Sequence, residues 1–311
     1  MKKTLIVWLA SVLASFSMAA FAQEMPPMMS DTMVDTLHVQ QYGSTGSPII
    51  LIPGLAAGAW TWADTVKRFA PTHVVFVVTL AGFDGNAAPA QKDGFIDLAD
   101  DELVKLIRSR HLDHPILIGH SLGGTLALLF ATAHSDMIAG IVTVDGLPVF
   151  PGTENMPTER RGDMGVSQRA KVAVGSDAAF ADQQMAYMAN DGVMDSTMAS
   201  KLGAMAARSD RLAVAQYLGE DLTLDFRAAL PEITVPVLLI TPYNPADGER
   251  MNPPHTQADK VAYYRTLMKG TPKLEVVAIT PARHFVMFDQ RDAFLQTLSN
   301  YIDRFSQPVP G

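Results

Sequence analysis

The sequence predicts an α/β fold, a doubly wound and mostly parallel sheet with a helical cap inserted into it, and three observations predict it. Short apolar runs without polar alternation recur along the chain, as strands buried on both faces of a parallel sheet require. Helix-length segments separate them, which implies right-handed strand-helix-strand crossovers. The rhythm breaks once, from about residue 150 to 230, where only helical, Ala- and Met-rich sequence occurs; so long an interval is not a structureless loop.

Taken in order, residues 1–22 carry Lys2 and Lys3, an uncharged apolar stretch and then Ala20-Phe21-Ala22, the pattern of a signal peptide cleaved after Ala22. The apolar stretch is short and interrupted by serines, so cleavage is the better reading than a permanent membrane anchor. A periplasmic or secreted destination is the expectation. Residues 23–34 read as an N-terminal linker. They hold Met25, Met28, Met29 and Met33, soft thioethers that can bind Cu(I), but no His or Cys completes such a site there.

Core sequence is expected at 35–149 and 231–311, around a cap at 150–230. Strands are expected at 36–42, 48–52, 74–80, 115–119, 138–144, 235–240 and 274–279. Between them, 95–108 places Phe95, Leu98, Ala99, Leu103, Leu106 and Ile107 on one helical face. Segment 122–133 is apolar almost all round, which suits a central helix packed on the sheet.

Composition limits the functions available. The 311 residues are 48% hydrophobic and 18% charged, enough for a large buried core. A net charge of -8, with no dense Lys/Arg run beyond the leader, argues against nucleic acid as a partner. There is no cysteine, so thiol chemistry and disulfides are excluded.

The chemistry is carried by Gly119-His120-Ser121-Leu122-Gly123, a G-x-S-x-G that follows a strand and opens a helix. At such a turn the flanking positions need glycine, and the hydroxyl stands at a helix N-terminus, where negative charge is favoured. Ser121 is therefore the candidate nucleophile, and it needs a general base. His284, five residues after the last expected strand, lies on a loop at the carboxyl edge of the sheet, where catalytic groups gather. His120 points away from its neighbour and reads as structural. His111 and His114 form an H-x-x-H with no further ligand pattern, and a solvated loop explains them better. Asp145 and Asp247 each follow a core strand, and either could orient the imidazole.

Together "GHSLGG", "LIPGLAAGAWTW", "VDGLPVF" and "RHFVMFDQ" resemble the α/β-hydrolase superfamily, over nearly the whole chain beyond the leader. The resemblance implies an acid after the seventh strand, but Thr241-Pro242-Tyr243-Asn244-Pro245 occupies that place and Asp247 comes late. Some members carry the acid after the sixth strand, and Asp145, 24 residues beyond Ser121, matches that arrangement. Asp145 is therefore the preferred acid and Asp247 the alternative. The resemblance also implies an oxyanion hole from the backbone N–H groups of Leu122 and Leu55, with Pro53-Gly54 in place of the family's usual His-Gly.

A serine nucleophile implies acyl transfer: cleavage of a carboxylic ester, with a lactone or another acyl bond as the alternative. It argues against haloalkane dehalogenase and epoxide hydrolase chemistry, where family members use aspartate. No lysine follows a serine by three positions, so a serine β-lactamase is excluded. The second class is a non-catalytic binding protein on the same fold. No metal or organic cofactor is implied. The expected partner is a small ester-type molecule with an apolar group. Seven of the 17 methionines, Met156, Met164, Met185, Met188, Met194, Met198 and Met205, fall in the cap. They suit a compliant pocket, though plain packing is the preferred reading. Trp60 and Trp62 either line that pocket or pack a helix.

Overall fold

A computed structural model describes residues 24–250, 253 and 255–305. The expected signal peptide lies outside the described residues. Among the described residues the sheet has eight strands: β1 (Met28–Val34), β2 (Leu37–Tyr42), β3 (Pro48–Ile52), β4 (Val74–Thr79), β5 (Ile116–His120), β6 (Gly140–Val144), β7 (Val237–Pro242) and β8 (Leu274–Ile279). Their spatial order is β1-β2-β4-β3-β5-β6-β7-β8. The β1–β2 and β2–β4 pairs are antiparallel, and every later pair is parallel.

All seven expected strands are present. The eighth corrects the expectation of a linker over 23–34, because Met28–Val34 pairs with β2 as an edge strand. Its side chains are exposed or half-buried, so it carries no apolar run to announce it. Backbone pairing holds it instead, helped by Arg110, which donates to Thr32 Oγ1 at 2.7 Å. All four N-terminal methionines are exposed.

The helices are α1 (Ala63–Phe69), α2 (Phe95–Ser109), α3 (Leu122–His134), α4 (Thr158–Ala173), α5 (Asp177–Tyr187), α6 (Ser196–Ala206), α7 (Arg211–Thr223), α8 (Pro245–Arg250), α9 (Gln257–Leu267), α10 (Val286–Asp289) and α11 (Arg291–Phe305). Helices α4 to α7 fill the interval between β6 and β7, where no strand was expected.

Every residue of β5, β6 and β7 is buried, which is why these strands lack alternation. Helix α3 packs over them with Leu126, Leu128 and Phe130 fully enclosed. Truncating Phe130 to alanine in such a core costs about 3–5 kcal/mol. The closeness of α3 to the sheet depends on two glycines. A Cβ on Gly119 would stand 2.0 Å from the Gly123 carbonyl oxygen, and one on Gly123 would stand 2.3 Å from that of Ile52.

The inserted helices are tied to the core by directed bonds as well as by packing. Glu220 on α7 accepts from the N–H groups of Phe95 at 3.0 Å and Ile96 at 2.9 Å, and so caps the otherwise unsatisfied start of α2. Gly94, before that helix, supplies no side chain for the purpose. Ser209, just ahead of α7, donates to the Ala56 carbonyl at 3.2 Å and accepts from Asp84 N–H at 3.0 Å. No helix among the described residues is long and apolar enough to cross a membrane.

Candidate active site

Ser121 sits between β5 and α3 with φ 53° and ψ -123°, a conformation that L-residues rarely adopt. The turn is held from both sides: Ser121 N–H donates to the Val144 carbonyl at 2.8 Å, and its own carbonyl accepts from Thr125 N–H at 2.9 Å. Strained backbone persists only where its surroundings over-determine it. Here those surroundings are β6 and the first turn of α3.

Asp145 follows β6 directly, also at positive φ (55°), with its N–H on the Ile240 carbonyl at 2.9 Å. Its Oδ2 lies 2.6 Å from His284 Nδ1. Its Oδ1 accepts the Tyr264 hydroxyl at 2.8 Å and lies 3.4 Å from Lys260 Nζ. Burial alone would raise this carboxyl, but the Lys260 charge and the His284 and Tyr264 hydrogen bonds outweigh it and hold the group below the usual carboxylate range. Burial and the neighbouring Asp145 push the Tyr264 hydroxyl well up, so it stays a donor. With Nδ1–H donated to Asp145, His284 keeps Nε2 as its basic nitrogen.

Asp247 has a different set of partners. It accepts from Arg283 Nε at 2.8 Å and Nη2 at 3.0 Å, from Asn244 Nδ2 at 2.6 Å, and from Arg250. Of the two candidate acids, the structure therefore brings Asp145 to His284 and commits Asp247 to Arg283. The Arg283 guanidinium also donates from Nη1 to the Ala189 carbonyl at 2.9 Å and the Val193 carbonyl at 3.2 Å. The next two N–H groups, of His284 and Phe285, donate to the Asp191 and Gly192 carbonyls at 3.2 and 2.9 Å. The loop bearing His284 thus leans on the turn between α5 and α6.

His120 is fully buried and donates Nε2–H to the His284 carbonyl at 3.1 Å. Burial, and then the adjacent His284, push its imidazole down to about 3, so it is neutral and acts as a prop for the loop. His111 and His114 are exposed on the turn after α2.

Ser121, Asp145 and His284 border one cavity of about 380 Å³ between the core and the inserted helices, together with Leu55 and Leu122. Leu122 opens α3, where a helix has N–H groups without intrahelical partners. Leu55 precedes Ala56, which holds φ 56° while Ser209 fixes its carbonyl. Helix α5 contributes Phe180, Gln183, Gln184 and Tyr187, and α7 contributes Val214, Leu218 and Asp221. No methionine among the described residues lines this cavity; Met188 is buried in the core and Met198 and Met205 pack against it. Trp60 stacks on Phe285 and Phe288, and Trp62 on Phe294, so both tryptophans pack rather than line the cavity. Tyr264, Lys260 and Asp221 had no motif to mark them, since only the folded chain brings α7 and α9 to this point.

The fold and this site place the protein in a known class: residues 49–297 match the alpha/beta hydrolase family, and the chain belongs to that family. Among its relatives is the N-formylmaleamate deformylase of Pseudomonas putida, 22% identical over 86% of this chain and 92% of that protein. The pimeloyl-[acyl-carrier protein] methyl ester esterase of Vibrio atlanticus is 26% identical, over 88% of this chain and 100% of its own length. The crystal structure of the enol-lactonase from Burkholderia xenovorans LB400 superposes with a TM-score of 0.70 at 18% identity, covering 88% of this chain and 100% of that one. The family match and the two sequence relatives support a hydrolase role for this chain, and the superposition supports its fold.

Proposed function

We propose that the protein is an exported serine hydrolase that cleaves carboxylic esters through an acyl-enzyme. The observation that carries this reading is the 2.6 Å bond from His284 to Asp145 in the cavity that also holds the strained Ser121. Ser121 Oγ attacks the ester carbonyl while His284 Nε2 takes its proton. Asp145 fixes the imidazole tautomer and stabilises the imidazolium that forms. The N–H groups of Leu55 and Leu122 meet the oxyanion of the tetrahedral intermediate, each worth about 3 kcal/mol at the transition state. The imidazolium then protonates the leaving alcohol, and water attacks the acyl-enzyme with His284 again as base.

Apolar walls, among them Leu55, Leu147, Val149 and Leu218, suit a substrate with a hydrophobic portion. Hydrolysis of p-nitrophenyl esters of rising acyl length, with Ser121→Ala alongside, tests the reading. Turnover lost in the variant supports it; turnover surviving in the variant, or absent from the parent with esters and lactones alike, overturns it. Export is tested by sequencing the N-terminus of protein recovered from the periplasm or medium, which is expected to begin at Gln23.

A further inference from the structure

We propose that the cavity holding Ser121 takes an ester that carries an ammonium group, and that Asp221 recognises that cation. The proposal rests on the ester-hydrolase reading and names its substrate class. Val214, Leu218 and Asp221 recur at helical spacing on the face of α7 that borders the cavity, so Asp221 is the one charged position on an otherwise apolar face. Its carboxyl has no hydrogen-bond or ion-pair partner among the described residues. The other carboxyl of the cavity, Asp145, already has Lys260 beside it.

Among the described residues no lysine or arginine lines this cavity, and the three glutamines of α4 and α5 that border it are neutral. An anionic substrate would therefore meet an uncompensated carboxylate and no cation. A cationic substrate would meet Asp221 together with the rings of Phe150, Phe180 and Tyr187, whose faces attract desolvated ammonium groups. Burial pushes the Asp221 carboxyl up to about 7, and a bound cation would favour its ionised form. A carboxyl held unpaired beside apolar walls is costly to folding, which makes a role in recognition the economical account of its presence.

The test separates binding from turnover. Calorimetry on the Ser121→Ala protein compares butyrylcholine with 3,3-dimethylbutyl butyrate, its uncharged carbon isostere. Butyrylcholine is expected to bind about tenfold more tightly, and Asp221→Asn in the same background is expected to bring the ratio to about one. Equal binding in the Ser121→Ala protein overturns the proposal, as does a preference that survives Asp221→Asn. The first ratio involves no change at Asp221, so a folding defect in the double variant leaves it decisive. A binding preference in a protein whose wild type hydrolyses no ester or lactone would overturn the hydrolase reading while leaving cation recognition by Asp221 standing.

Discussion

Tyr264 donates its hydroxyl at 2.8 Å to the Asp145 oxygen that His284 does not use. A neutral phenol thus shares, with Lys260, the task of keeping the acid beside the imidazole ionised inside the protein. Tyr264→Phe removes one hydrogen bond to a charged group, worth about 1.5–3 kcal/mol. The carboxylate left behind is more basic toward the His284 Nδ1–H, so the acid limb of a kcat/KM pH profile is expected to move to higher pH, with kcat lower by about tenfold. An unchanged profile would mean that the hydroxyl only fills space.

The two aspartates are separated by a paired substitution. Asp145→Asn leaves the imidazole without its anionic partner and is expected to lower kcat by about 10⁴-fold. Asp247→Asn touches Arg283 instead and is expected to leave kcat within about tenfold while lowering stability. Steady-state kinetics at matched folded concentration measures both. The reverse pattern would make Asp247 the acid.

The same Asp247 has a pH signature. Arg283, foremost among its neighbours, draws its carboxyl down from the usual 3.8 to about 2. A carboxyl depressed in the folded state contributes stability that is present above pH 3.8 and lost as pH falls through about 2. Denaturant unfolding should therefore show wild type more stable than Asp247→Asn by about 1–2 kcal/mol near neutrality. The gap should close progressively below pH 4, with most of it gone near pH 2.

Backbone strain at Ser121 makes a third contrast. Glycine adopts φ 53°, ψ -123° without a Cβ penalty, so Ser121→Gly is expected to raise unfolding free energy by about 1 kcal/mol while abolishing turnover. A destabilised Ser121→Gly would show that the hydroxyl or Cβ contributes more to folding than the turn costs.

Glu220 is expected to matter for folding rather than chemistry. Glu220→Ala uncaps α2 and should lower stability by about 1 kcal/mol, read as a fall of about 2–4 °C in Tm. A Tm equal to wild type would mean that water replaces the carboxylate without loss.

Much of this architecture is legible in the sequence because its central strands are buried on both faces, and continuous apolar runs such as "PIILI" and "VVFVVTL" have few other uses. The edge strand β1 is not legible for the opposite reason: it is held by backbone pairing, and its Met, Ser, Asp and Thr side chains are exposed or half-buried and form no apolar run. At the site, G-x-S-x-G marks Ser121 locally, and strand order brings His284 to the same edge. The choice between Asp145 and Asp247 depends on side-chain direction after neighbouring strands, which spacing does not encode. Tyr264 reaches Asp145 across 119 residues, from a helix with no distinguishing pattern.

The bonds from Arg283, His284 and Phe285 to the carbonyls of residues 189, 191, 192 and 193 make the inserted helices part of the scaffold that aims the imidazole. Exchanging the whole insertion for one from another hydrolase would therefore disturb the placement of His284 along with the cavity. Retargeting this protein to new substrates calls for changing cavity-facing side chains of α5 and α7 while leaving the 188–193 turn untouched.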